Sequence, residues 1–280
     1  MERYVDQRLT SLIPDGFQAR RTGRRFVAAL PKYLQALADA EFSELPEAGQ
    51  GRGSLHGLQT PEGALLIRQC RRGGLLRLLN KDRYLSPRRP FDEIRLTVEA
   101  GERGVLVARP AGAVVEHRPP FWLCWLATEE IEEAIDLGDY LRWLPATPTR
   151  EVSAEKRDII DAAGKAVRSM HDASLWHADL QVKNILLRRS PAGVQVFIID
   201  LDKSRILPNG LSQDLRAANL RRLNRSVVKT RPDAIDDMER QRFLAAYRSG
   251  DAFFGSDTTE LLKSCRRHAA RHSLWWKLFG

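Results

Sequence analysis

Cysteine is scarce in this sequence, and what there is lies scattered. Cys70, Cys124 and Cys265 make neither a paired framework nor a C-x-x-C knuckle, which sets aside a disulfide scaffold and a zinc ribbon and leaves a reducing compartment as the expectation. Long apolar runs are missing too. The longest, Phe121 to Ala127, falls far short of the roughly 20 residues that a membrane helix needs. The opening stretch MERYVDQRLTSLIPDG has no apolar core of a secretory signal, so export is not expected. No internal repeat or low-complexity tract occurs. His268 and His272 stand four apart, but Ala269 sits where an HExxH pair carries its glutamate, and a half-buried helix face is preferred to a zinc site.

What is present is a chain of 280 residues, 43% hydrophobic and 29% charged, with a net charge of +9. Apolar segments recur from end to end, so the chain is not disordered, and it has room for one large domain or two lobes. The charge is blocked rather than spread. Arg68 to Arg89 holds eight basic residues against one acid, Asp82, and Lys203 to Arg231 again holds eight against Asp214. Lys263 to Lys277 adds five with no acid, whereas Glu129 to Asp139 carries six acids and no base. Blocks of one sign point to a polyanionic partner. Nucleic acid is not the expected one, because no zinc-finger, helix-turn-helix or aromatic RNA-binding pattern accompanies the charge.

Three segments are expected. Residues 1–45 read as a helical N-terminal extension, with Phe26, Leu30, Tyr33, Leu34 and Leu37 at helical spacing. Residues 46–128 read as β-rich: a glycine cluster, a strand at Ala64 to Ile67, a helix near Asp92 to Arg103, then strands at Val105 to Val107, Ala113 to Val115 and Trp122 to Leu126. Residues 129–280 read as mostly helical. Ile159, Ile160, Ala163, Val167 and Met170 mark a helix ending near His171, and Val196 to Ile199 a buried strand after a turn at Pro191 to Gly193. Asp257 and Glu260 have capping-box spacing for a closing helix, and a basic aromatic tail follows.

The densest chemistry is His177-Ala178-Asp179-Leu180-Gln181-Val182-Lys183-Asn184, followed by Ile198-Ile199-Asp200-Leu201-Asp202. This matches the H-x-D-x-x-x-x-N loop and strand-end Asp of protein-kinase-like phosphotransferases. The spacing has a reason. Asp179 is placed to accept the proton of an acceptor hydroxyl, Asn184 five residues on can turn back towards Mg²⁺, and Asp200, leaving a buried strand, can chelate the same metal. Upstream, Gly51-Arg52-Gly53 offers backbone N–H groups to the phosphates of ATP, since glycine has no Cβ in the way. Arg68 ends a strand where such kinases place the cation for the α/β-phosphates. Glu93 is its natural ion-pair partner and Glu99 the competing one. Lys183 either steadies the transferring phosphoryl group or is an exposed lysine, and His177 braces the loop rather than acting as base.

With Gly51-Arg52-Gly53, Arg68, Arg72-Gly73-Gly74-Leu75, Asp82-Arg83-Tyr84-Leu85, Arg109-Pro110, the His177 motif, Asp200-Leu201-Asp202-Lys203-Ser204-Arg205, and Asn219-Leu220-Arg221-Arg222-Leu223 with Arg225-Ser226, the chain resembles the lipopolysaccharide kinase (Kdo/WaaP) family over roughly residues 45–250. The Arg-Gly-Gly and Asp-Arg-Tyr-Leu elements point to members that phosphorylate 3-deoxy-D-manno-octulosonic acid (Kdo) rather than heptose. The resemblance implies an α+β, two-lobed protein-kinase-like fold, with a β-rich N-lobe and a helical C-lobe. It implies Mg²⁺- and ATP-dependent phosphorylation of a Kdo hydroxyl on Kdo-lipid A, an anionic glycolipid, by a peripheral protein at the cytoplasmic face of a Gram-negative inner membrane. A membrane-held substrate favours reading Trp275, Trp276, Leu278 and Phe279, beside Arg267, Arg271 and Lys277, as an interfacial segment rather than as aromatics packed on the helical half. The chain departs from the general kinase pattern at Arg68 (usually Lys), Ala178 (usually Arg) and Asp202 (usually Gly), and Asp202 receives no role. A core-heptose kinase and a non-catalytic lipopolysaccharide-binding module are the alternatives.

Overall fold

The computed structural model describes residues 7–42, 44–46, 55–70 and 83–248. Gly51, Arg52, Gly53, the Arg-Gly-Gly element, Asp82, Cys265, the two histidines 268 and 272, and the tail lie outside them. The chain divides into two compact units: Met1–Glu102 with Ala108–Ile131, and Arg103–Val107 with Glu132–Gly280.

The first unit is built on a six-stranded antiparallel sheet. Its strands are β1 (Gln18–Thr22), β2 (Arg25–Ala29), β3 (Leu55–Thr60), β4 (Gly63–Gln69), β5 (Pro110–Arg118) and β6 (Phe121–Glu129), in the order β1-β2-β5-β6-β4-β3. Helix α1 (Pro31–Asp39) supplies Tyr33 and Leu37 to one face, against Val27, Ala29, Val114, Trp125 and Ala127. Helix α2 (Arg89–Glu102) supplies Phe91 and Ile94 to the other, against Phe26, Ala28, Val115, Cys124 and Leu126. Successive residues of a strand point to opposite faces. A strand covered on both faces therefore needs no polar alternation, which accounts for the unbroken run Phe121 to Ala127.

The same double burial corrects the helical reading of residues 1–45. Phe26 lies in β2, and the helix here begins only at Pro31 and runs to Asp39, opening on a proline suited to a first turn. The 3.6-residue spacing of Phe26, Leu30 and Leu34 runs across a strand–helix junction. Residues 18–29 supply two strands of the sheet and the helix at 31–39 packs on its face, so this segment is not an appended extension. The strand expected at Val105 to Val107 is also absent: α2 ends at Glu102, Gly104 turns with φ +84, and Val107 makes a single bridge to Ile198.

The second unit is mainly helical. After β7 (Ile135–Asp136) come α3 (Leu137–Trp143) and α4 (Arg150–Asp172), the latter capped by the Thr149 side chain, which accepts from the Val152 N–H. Then follow β8 (Leu175–Trp176), β9 (Ile185–Ser190), β10 (Gly193–Ile198), β11 (Arg205–Ile206), α5 (Gln213–Thr230) and α6 (Asp237–Arg248). Strands β10, β9 and β7 form one small sheet, and β11 pairs with β8. Helices α4 and α6 meet at Gly164, where an added Cβ would stand 2.6 Å from the Phe243 carbonyl oxygen and 2.9 Å from Ala246 Cβ. Residues 177–184 thus connect β8 to β9, and Asp200 follows the end of β10. Those two loops carry the motif.

Candidate active site

The loop from His177 to Asn184 is short of regular structure, so its backbone groups must find partners elsewhere. They do so in three places. His177 Nδ1 accepts from the Asp179 N–H at 3.0 Å, and His177 Nε2 lies 3.0 Å from the Ile199 carbonyl oxygen. An acceptor at one ring nitrogen fixes the proton on the other, so the ring is neutral and donates to Ile199. Burial holds its pKa below the ordinary range. With both nitrogens committed, His177 ties the loop to the residue before Asp200.

Helix α5 is the second anchor. Asn219, fully buried, accepts from the His177 N–H at 3.2 Å and donates to the His177 carbonyl at 2.7 Å. Its oxygen also meets His171 Nε2 at 3.3 Å, and His171 Nδ1 accepts from the Tyr247 hydroxyl at 2.7 Å. Ser226 Oγ accepts from the Val182 N–H at 3.1 Å. The third anchor is Ser204, whose Oγ accepts from the Ala178 N–H at 3.1 Å.

Asp179 is half-exposed on this braced loop. Its Oδ1 accepts from Gln181 Nε2 at 2.6 Å and from Arg222 Nη1 at 2.8 Å, while Lys183 Nζ lies 3.9 Å from Oδ2. Partial burial pushes this carboxyl up, but the bonds from Gln181 and Arg222 and the positive charge of Lys183 and Arg222 outweigh it. The net effect holds Asp179 below the usual carboxylate range, so it is ionised at neutral pH. Two donors crowd Oδ1, which leaves Oδ2 as the oxygen for an incoming hydroxyl.

Asn184 donates through Nδ2 to the Asp179 carbonyl at 2.8 Å, and its own carbonyl accepts from the Ile199 N–H at 3.0 Å. The amide nitrogen is thereby spent on the loop, and Oδ1 is the end that suits a cation. Ile198 is in register with Ile185, so Asp200 leaves the sheet beside Asn184. Asp200 has φ +60, a left-handed conformation that costs a non-glycine residue of order 1 kcal/mol and recurs where function demands it. An amide oxygen and a carboxylate are hard donors of the kind Mg²⁺ takes, with nucleotide phosphates completing its shell. The donor set fits that ion. Among the described residues no cluster of three or more His, Cys, Asp or Glu offers a different metal site.

In the first unit, Arg68 lies on β4, flanked by Leu55 on β3 and Leu126 on β6. Its Nη2 donates to Glu93 Oε1 at 2.7 Å, with the Glu93 side chain buried on α2. Of the two acids considered, Glu93 is the one that meets Arg68.

Spacing alone gives Arg222, Gln181, Asn219, Ser204 and Ser226 no role, although all five lie in the motifs that carry the family resemblance. A signal exists for three: Asn219, Arg222 and Ser226 recur at i, i+3 and i+7, a polar face on a helix whose Leu220 and Leu223 are buried.

The family model described as Lipopolysaccharide kinase (Kdo/WaaP) family matches residues 39–247. Curated relatives named 3-deoxy-D-manno-octulosonic acid kinase include one from Haemophilus influenzae, 33% identical over 68% of this chain and 79% of its own. Another, from Pasteurella multocida, is 33% identical over 72% and 84%, and one from Vibrio vulnificus is 31% identical over 78% and 87%. Among solved structures, WaaP in complex with acyl carrier protein aligns with a TM-score of 0.57 at 18% identity, covering 82% of this chain and 90% of that one. At that identity the likeness speaks to fold alone, and the fold is the protein-kinase-like α+β one.

Proposed function

The chain belongs to the lipopolysaccharide kinase (Kdo/WaaP) family, a family of sugar kinases, and on that premise we propose that it transfers the γ-phosphoryl group of ATP to a Kdo hydroxyl of Kdo-lipid A in the lipopolysaccharide inner core. The observation that carries this reading is Asp179: an ionised carboxylate on a loop anchored at three points, with one oxygen engaged by Gln181 and Arg222.

In this reading Asp179 orients the acceptor hydroxyl at Oδ2 and takes its proton as the hydroxyl oxygen bonds to the γ-phosphorus, while the bond from that phosphorus to the β,γ-bridging oxygen breaks and ADP leaves. A carboxylate held below its usual range is a modest base. That suffices for a loose phosphoryl-transfer transition state, in which positioning and charge neutralisation do most of the catalysis. Asn184 and Asp200 would hold Mg²⁺, which when bound neutralises charge on the nucleotide phosphates. Arg68, kept in place by Glu93, would grip those phosphates with the backbone of Gly51, Arg52 and Gly53, and Lys183 would steady the group in transit. Arg68 offers a planar fork where most kinases offer a point charge, so its grip is directional. No helix among the described residues is long and apolar enough to cross a membrane. The blocked positive charge suits a peripheral protein at the cytoplasmic face of the inner membrane, with an anionic glycolipid and not nucleic acid as its partner.

Mass spectrometry after incubation with Mg-ATP tests the reading, with Kdo-lipid A in one arm and heptosylated lipopolysaccharide in the other. A gain of about 80 Da, one phosphoryl group, on Kdo-lipid A is expected. A gain on the heptosylated acceptor alone would assign the activity to heptose, and no gain on either would remove the kinase assignment.

A further inference from the structure

Helix α5 does more than brace the catalytic loop. With 3.6 residues per turn, Arg221, Arg225 and Lys229 follow one another at i, i+4 and i+8, beside the face from which Arg222 reaches Asp179. Arg225 and Lys229 are exposed and Arg221 half-buried, and none of the three has an ion-pair partner among the described residues. The helix holds one acid, Asp214, in its first turn, about two turns from Arg221.

Solvated surface charge is the bland account of such a stripe, and two observations weigh against it. On the same helix Arg216 is paired with Asp172 and Arg222 with Asp179, so the three cations of the stripe are the part of its charge that meets no acid among the described residues. The stripe also places like charges four apart twice over, each pair costing the helix a few tenths of a kcal/mol. Charge that weakens its own helix and is left unneutralised beside a catalytic carboxylate is accounted for by an anionic ligand.

We propose that Arg225, flanked by Arg221 and Lys229, receives the carboxylate of the acceptor sugar. This rests on the kinase reading above and extends it to substrate recognition. The distances favour the carboxylate over other anions on the acceptor. Arg225 stands about 4.5 Å along the helix axis from Arg222, and Lys229 about 10 Å. The first spacing is comparable to the width of one sugar ring. The carboxylate of an octulosonic acid sits on the same ring as the hydroxyl presented to Asp179, whereas the phosphates of a lipid A anchor lie at least a further ring away. Arginine suits the task, because its planar fork matches a carboxylate with two parallel hydrogen bonds.

The test uses the full-length protein, Mg-ATP and Kdo-lipid A in neutral detergent, with steady-state kinetics of wild type beside R225Q and the R225Q/K229Q pair. The double variant is expected to raise KM for the acceptor about 10–100-fold, with KM for ATP within twofold and kcat at saturating acceptor within threefold. R225K should recover part of the loss. The ratio of wild type to variant should persist on an acceptor stripped of its lipid A phosphates. An unchanged acceptor KM overturns the inference while wild-type turnover leaves the kinase reading standing. A rise in KM for ATP instead, or a ratio that vanishes with the phosphates, also overturns it. Wild type inactive on Kdo-lipid A removes both readings together.

Discussion

Replacing Asn219 by leucine isolates what anchors the catalytic loop. The amide makes three hydrogen bonds: from the His177 N–H at 3.2 Å, to the His177 carbonyl at 2.7 Å, and to His171 Nε2 at 3.3 Å. Leucine keeps the branched shape of asparagine and opens no cavity, though its bulkier methyl groups add some overpacking. The cost comes from stranding the backbone N–H and C=O of His177 in a fully buried setting, at about 1–3 kcal/mol for each buried group left unmade. With the weaker His171 contact, N219L should destabilise the protein by roughly 2–5 kcal/mol, read as a lower urea midpoint at unchanged m-value by circular dichroism. The loop carrying Asp179 loses its anchor too, so kcat should fall by more than the unfolded fraction explains. L223A, in the same helix on its apolar face, is the control. It should cost a similar 2–5 kcal/mol through a cavity while leaving kcat of the folded protein nearly intact. A loss below about 0.5 kcal/mol for N219L, or a kcat drop no larger than that of L223A, would refute the reasoning.

Other outcomes follow from the same geometry. D179N and D200A should each lower phosphoryl transfer by about 10²–10⁴-fold with the far-ultraviolet spectrum unchanged; near-wild-type turnover by either would count against the assigned role. Burial pushes the His171 imidazole down to about 3, whereas the unfolded chain titrates near 6.5. Its contribution to stability is therefore complete above pH 6.5 and is lost between 6.5 and about 3, at up to about 1.4 kcal/mol per pH unit. H171Q should flatten the urea-midpoint slope across that window, and an unaltered slope would show that other groups govern it. G164A drives a methyl into the α4–α6 contact and should cost about 1–3 kcal/mol, measured by thermal melting; a neutral result would mean that the helices separate without penalty.

The legible part of this protein is what covalent neighbours determine. His177, Asp179 and Asn184 lie within eight residues of one another, between apolar runs, and Asp200 leaves a strand that pairs with the next segment of chain. Spacing alone therefore names the acid, the amide and the second acid. Strands β4, β5 and β6 and helix α4 were readable from apolar runs and 3.6-residue periodicity. The amino-terminal strands were not: β2, buried on both faces, has lost the alternation that distinguishes a strand from a helix, β1 is an exposed polar edge strand with no apolar pattern at all, and Phe26 to Leu37 mimics helical spacing by chance.

The sequence by itself determined the chemistry on offer: which loop carries the candidate base, which residues suit a hard cation, and that positive charge is gathered into blocks. Only the tertiary structure decided how that charge is used. The block from Lys203 to Arg231 reads as uniform, yet the phase of α5 sends Arg222 to Asp179 Oδ1 and leaves Arg221, Arg225 and Lys229 without acidic partners among the described residues. Likewise β4 and α2 together, not their spacing, selected Glu93 for Arg68. Each of those pairs joins residues 25 or more apart in the chain. At such separations a side chain's partner is set by helix phase, strand register and the packing of whole elements, none of which a local pattern encodes.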